Sequence, residues 1–192
     1  MSLAPYLEST TVIDWTEPEV LALAGSLSAG NKDGMTVARR CFEWVRDEVR
    51  HSMDFHVEAV ACSASETLRL RAGLCYAKSH LLAGLLRANG IPAALSYQRL
   101  LLSDQPASGF CLHGLVSVQL PGIGWHRIDP RGNKPGVSTA FTPPVEKLAY
   151  APQHPGERDV PERYAQPLPQ VVDALMRYRR TSELVQHLPD LP

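Results

Sequence analysis

Several things are scarce in this chain, and each scarcity removes a class of function. None of its apolar runs approaches the length of a membrane span, and Met1-Ser2-Leu3-Ala4-Pro5 does not read as the basic start of an export signal. There is no excess of one charge: 19 basic residues face 20 acidic ones, a net charge of −1. That balance offers no electrostatic footprint for nucleic acid or an anionic membrane. Cysteine is sparse, with four residues (Cys41, Cys62, Cys75 and Cys111) and no C-x-x-C pair, so neither a disulfide framework nor a thiolate metal site is suggested. Internal repeats and low-complexity tracts are missing as well. The expectation is a cytoplasmic protein that binds neither membrane nor nucleic acid, with its oligomeric state left open.

What is present is ordinary globular composition, 44% hydrophobic and 20% charged over 192 residues, enough for one domain of about 150–200 residues with a real core. Thr16-Glu17-Pro18-Glu19 reads as a capping box opening a helix to about Ser28. A second helix is expected from about Met35 to Arg50, with Val37, Cys41, Phe42, Val45 and Val49 at core spacing. His51 to Ala61 has no period and reads as loop. Ser63-Ala64-Ser65-Glu66 is another capping box, for a short helix. A central helix starts at Leu74 or Cys75 and stops at Asn89-Gly90. Strands follow at Ala94–Leu100, Cys111–Leu120 and Trp125–Asp129, the last two joined through Pro121-Gly122-Ile123-Gly124. Prolines between about 142 and 169 break regular structure, and helical spacing returns from Gln170 to about Arg180, with a further turn from Ser182 to Leu188. The single domain expected over 1–192 has its core at about 35–132, and 133–192 forms a proline-rich wrapping segment plus a C-terminal helix.

Chemistry concentrates at three element edges. Cys75 stands where Gly73 gives way to a helical run. Unpaired N–H groups and the positive end of the helix dipole at such a place favour a thiolate. His113 lies on a strand and Asp129 closes the next one, the order in which a nucleophile, its base and the base's orienter are commonly supplied. Strand side chains alternate faces, so His113 and Asp129 share one only if the connection holds an odd number of residues. A three-residue connection, Pro121 to Ile123, sets Leu115 opposite Asp129 and leaves His113 one diagonal step away, with Cβ atoms about 7 Å apart.

Each residue also has a plain structural reading. Cys75 can be a buried cap residue, His113 a core histidine, and Asp129-Pro130-Arg131-Gly132 a turn in which Asp binds nearby amides. Cys41, Cys62 and Cys111 read as small packed hydrophobes. His51 and His56 fall in the unpatterned segment, and His126 on the strand face opposite Asp129. Lys78, one turn after Cys75, reads as a solvated lysine, thiolate stabilisation being the sharper alternative. Arg177-Tyr178-Arg179-Arg180 suits a helix C-terminus. A metal would have to collect Cys75, Cys111, His113 and His126, and C-x-H is a poor ligand spacing; no metal or cofactor is expected.

At these residues the chain resembles the transglutaminase-like superfamily, papain-related cysteine enzymes. The likeness is carried by Gly73-Leu74-Cys75 with Leu85-Leu86-Arg87-Ala88-Asn89-Gly90-Ile91-Pro92-Ala93. It continues in His113-Gly114-Leu115-Val116-Ser117-Val118, then Gly122-Ile123-Gly124-Trp125 and Ile128-Asp129-Pro130. Together these cover roughly residues 63–132. The resemblance implies an α+β fold, with the nucleophile helix packed on a small antiparallel sheet. It also implies Cys75 as nucleophile, His113 as base and then acid, Asp129 as orienter, and the Cys75 N–H as part of an oxyanion hole. It leaves the upstream side-chain donor unplaced. The implied activity is attack on a peptide or protein amide through a Cys75 acyl-enzyme, ending in hydrolysis or acyl transfer. Tyr76 where many members carry Trp, and Gly114-Leu115 for Ala-Trp, speak against protein cross-linking. The Arg-Gly-Gly-x-Cys-Phe signature of arylamine acetyltransferases is absent. A non-enzymatic alternative is an inert scaffold whose groove binds a peptide or protein partner. The loop Ser103–Gly109 and the segment 133–169 are the candidates for shaping access.

Overall fold

A computed structural model describes residues 2–102 and 109–191. Helix α1 (Pro18–Ser28) begins where expected, but the Thr16 cap does not form: Thr16 Oγ1 pairs with Ser9 Oγ at 3.2 Å, and Glu17 at the cap position makes no side-chain cap bond. Helix α2 (Gly34–Glu48) is instead capped by Asp33, which accepts from the Met35 and Thr36 N–H groups. The Ser63–Glu66 capping box is present and opens α3 (Ala64–Leu70). The segment read as loop contains β1 (Arg50–His51), paired in parallel with β2 (Ala72–Gly73) so that His51 lies opposite Gly73. A two-residue strand has no period to read, but it delivers His51 to the threshold of the next helix.

That helix, α4 (Cys75–Ala88), is the centre of the molecule. Every residue from Cys75 to Arg87 is buried, polar ones included. On one side it packs against α1, α2 and α3, and on the other against strands β3 (Ala93–Leu101) and β4 (Phe110–Leu120). With β5 (Gly124–Ile128) and β6 (Arg158–Asp159) these make a four-stranded sheet in the order β5-β4-β3-β6, antiparallel throughout. The architecture is the expected α+β layer of a helix on a small antiparallel sheet. Leu120 pairs with Gly124 and Val116 with Ile128, so the hairpin connection is the three residues Pro121–Ile123. Continued by one position, that register sets Leu115 opposite Asp129, the odd-numbered case the site requires.

Beyond residue 130 the chain lies across the sheet and its edges. Leu95 exchanges backbone hydrogen bonds with Tyr164 at 2.8 and 2.9 Å, and Arg99 grips Asp190 with two bonds of 2.7 Å. Helix α5 (Pro169–Arg177) buries Val171, Ala174 and Leu175, and α6 (Thr181–Leu184) buries Leu184. Among the described residues no helix is long and apolar enough to cross a membrane.

Candidate active site

Cys75 is the first residue of α4, so its N–H has no intrahelical acceptor. Its sulfur accepts the Gly114 N–H at 3.5 Å. That approach depends on glycine. A Cβ at Gly114 would lie 3.0 Å from Tyr76 Cδ1 and 3.2 Å from Tyr76 Cα, so the backbone of α4 occupies the space. Glycine at 114 is thus a packing feature of β4 on α4. Gly114→Val is expected to force the two elements apart, at about 1–3 kcal/mol for an overpacked core, and to lower Tm by several degrees in a thermal melt.

His113 and Asp129 are brought together as the register requires. His113 Nε2 and Asp129 Oδ2 are 2.8 Å apart, and Asp129 is fully buried. The same carboxylate accepts the Arg131 N–H at 3.0 Å and the Ala149 N–H at 3.0 Å. The turn reading of Asp129-Pro130-Arg131-Gly132, in which Asp binds a nearby amide, therefore holds. Burial alone would raise the Asp129 pKa, but His113 and these hydrogen bonds lower it. Burial would pull His113 down; the Asp129 charge, Cys75 and hydrogen bonds to both push it up to about 10. With Nε2 committed to Asp129, the other ring nitrogen is left for Cys75. Tyr150 closes the edge of the imidazole, its ring centroid 5.0 Å away at an interplanar angle of 85°.

The other candidates sort differently. Cys41 is a core residue, as expected. Cys111 is only half-buried and lines the same cavity as Cys75, more than the packed hydrophobe of the sequence reading. Burial pushes the thiols of Cys41, Cys62 and Cys111 each up to about 12. Lys78 corrects its reading outright. It is completely buried, and its ammonium donates to the carbonyls of Arg46 and Val49 at the end of α2, serving as an internal C-cap rather than a solvated charge. His126 is buried on the other face of β5 against Phe141. Among the described residues no group of three His, Cys, Asp or Glu side chains is placed to hold a metal.

The cavity over Cys75 measures about 540 Å³, within the usual range of ligand pockets. Leu100, Leu102, Cys111, Leu112 and Leu188 give it an apolar wall, and His51, Asp54, Arg131 and Lys134 a polar one. The segment 133–169 contributes Lys134, Gly136, Tyr150, Gln153, His154 and Glu157, whereas residues 103–108 of the other proposed access loop lie outside the described residues. Sequence reading missed His51, Asp54, Lys134 and Tyr150. Lys134-Pro135-Gly136 carried a turn signal, but nothing around Tyr150 marked it.

The sequence profile of the transglutaminase-like superfamily matches residues 21–130, more than half of the chain and inclusive of Cys75, His113 and Asp129. No curated protein sequence matches significantly. Among solved structures, a proposed cysteine protease from Cytophaga hutchinsonii superposes with a TM-score of 0.53 at 20% identity, over 67% of this chain and 42% of that one. The periplasmic domain of TgpA from Pseudomonas aeruginosa does so with a TM-score of 0.51 at 20% identity, over 68% and 48%. The chain spans less than half the length of either, and at such identity the likeness is one of fold.

Proposed function

The chain belongs to the transglutaminase-like superfamily, and on that premise we propose that it is a cysteine enzyme acting on an amide bond, with Cys75 as nucleophile, His113 as acid and base and Asp129 as orienter. The Cys75 sulfur attacks the carbonyl carbon, and the oxyanion takes the helix-terminal N–H of Cys75. His113 passes a proton to the departing amine as the C–N bond breaks, leaving a thioester. Water or a second amine then attacks the thioester, giving its proton to His113 and releasing the thiolate. One observation carries the reading: Asp129 holds His113 by Nε2 in a buried hydrogen bond of 2.8 Å while Cys75 sits beside it at a helix N-terminus. A buried, raised imidazole next to a thiol favours the thiolate–imidazolium pair.

The test is the pH dependence of iodoacetamide alkylation, located by peptide mass spectrometry. The other three thiols are held protonated, each pushed up to about 12, and Cys111, which shares the cavity, is told from Cys75 by its own peptide. With His113 charged up to about pH 10, labelling stays fast from pH 9 down to 6. An unpaired thiol of pKa about 8.5 would slow about a hundredfold or more over that range. His113→Ala is expected to slow labelling at pH 6 at least tenfold. Slow labelling that ignores His113 would leave a peptide-binding scaffold as the better description.

A further inference from the structure

The polar wall of the cavity carries more positive charge than its own structure needs. Arg131 donates to Asp54 Oδ2 and Oδ1 at 2.6 and 3.2 Å, and Lys134 Nζ to the same Oδ1 at 2.7 Å. Two cations thus share one carboxylate. Arg131 is buried with its fork closed on Asp54, whereas the Lys134 side chain stays 40% exposed, and among the described residues only one of its three ammonium protons is engaged. A tight turn fixes its backbone: Lys134 and Val137 exchange hydrogen bonds of 3.0 and 2.9 Å, with Gly136 at φ +80°. Glu157, which also lines the cavity, is taken up by the N–H groups of Leu101, Gln153 and His154.

His51 supplies the second, independent observation. It is only 6% exposed, lines this cavity, and its buried Nδ1 has no hydrogen-bond partner among the described residues. Asp54 Oδ2, at 3.7 Å, is too far to serve. Burial and the Arg131 charge pull the His51 pKa to about 3, so the ring is neutral. A buried polar atom left unpaired is unfavourable unless something entering the site pairs with it.

We propose that this recess recognises a carboxylate carried by the substrate close to the bond under attack, held by the free ammonium protons of Lys134, with His51 pairing to the polar group beside it. The inference rests on Cys75 as the reacting residue. The carboxylate is either a free peptide C-terminus or an acidic side chain. A neighbouring Lys–carboxylate contact in a partly closed cavity is screened less than one in open solvent.

Cys75 itself reports on the recess. Alkylation by iodoacetate and by iodoacetamide is compared at pH 7 and low ionic strength in the wild type, Lys134→Gln and Lys134→Ala. The iodoacetate-to-iodoacetamide rate ratio is expected to fall at least threefold in both variants, and an unchanged ratio overturns the proposal. Three further probes separate the sources: chloroacetyl-Gly-Gly as free acid, the same peptide as C-terminal amide, and chloroacetyl-Gly-Asp amide. Faster labelling by the free acid assigns a C-terminal carboxylate, and faster labelling by the aspartyl amide assigns a side chain. Equal rates for all three overturn the proposal. Because the readout is a ratio, it stays interpretable if absolute rates are slow and indifferent to His113, the result that would defeat the enzyme reading.

Discussion

Asp129→Asn is expected to slow acylation of Cys75 by p-nitrophenyl acetate at pH 7 by about 10²- to 10⁴-fold, the range over which positioned acid–base groups and their orienters act. The asparagine fits the space but not the hydrogen bonds. Oδ1 accepts from the Arg131 N–H, and Oδ2 from the Ala149 N–H while contacting His113 Nε2. An amide nitrogen at the Oδ2 position meets the immovable Ala149 donor, and it forces His113 to present a lone pair. The imidazole proton then moves to the nitrogen facing Cys75, and the base for that thiol is lost. Turning the amide over sets its NH₂ against the Arg131 N–H instead. The pH response has a definite sign. The anion that raises His113 disappears, burial takes over, and the His113 pKa drops. Residual reactivity should therefore need higher pH than in the wild type. Acylation of a folded Asp129→Asn protein, checked by circular dichroism, at a rate within threefold of wild type would sink the orienter role.

That geometry was partly legible beforehand, and the reason is parity. Strand faces alternate, so the length of one connection decides whether His113 and Asp129 meet, and Pro121-Gly122-Ile123 supplies an odd one. The α4 boundaries were equally plain, marked by Gly73 before and Gly90 after. Interactions that join distant residues with no local pattern were not legible. Lys78 looked like a surface charge because its partners, the Arg46 and Val49 carbonyls, lie at the end of a helix about thirty residues earlier. The Thr16 hydroxyl had an alternative partner in Ser9. Asp33, three residues before Thr36, carried a usable cap signal for the helix expected from about Met35. His51 and Tyr150 reach the cavity through a two-residue strand and a proline-rich segment, neither of which has a period.

Arg87→Leu is expected to cost about 3–5 kcal/mol, the scale for breaking a buried charged hydrogen-bond network. In the sequence this arginine is one letter of the run that ends α4; in the fold it is a buried junction, 2% exposed. Nε and Nη2 donate to the Ala93 carbonyl at 3.0 and 2.8 Å, Nη1 to Glu8 at 2.9 Å and Nη2 to Ala165 at 2.6 Å. One guanidinium therefore satisfies the start of β3, the N-terminal segment and the wrapping segment together. Leucine packs against its neighbours but takes both donors from the buried Ala93 carbonyl and releases the part-buried Glu8 and Ala165 carbonyls. Arg87→Lys keeps the charge, but a single ammonium cannot span three separate acceptors in the fork's geometry, so it should recover only part of the loss. For a chain of this size the leucine variant should lose about 10 °C of Tm. Hydrogen exchange should quicken at the Leu95–Tyr164 bridge, two residues beyond Ala93 on β3, before it does in the α2–α4 contact. If urea unfolding gives Arg87→Leu a loss under about 1 kcal/mol, the junction is not holding these segments. The Cys75 helix would then owe its position to its packing against α1, α2, α3 and the sheet.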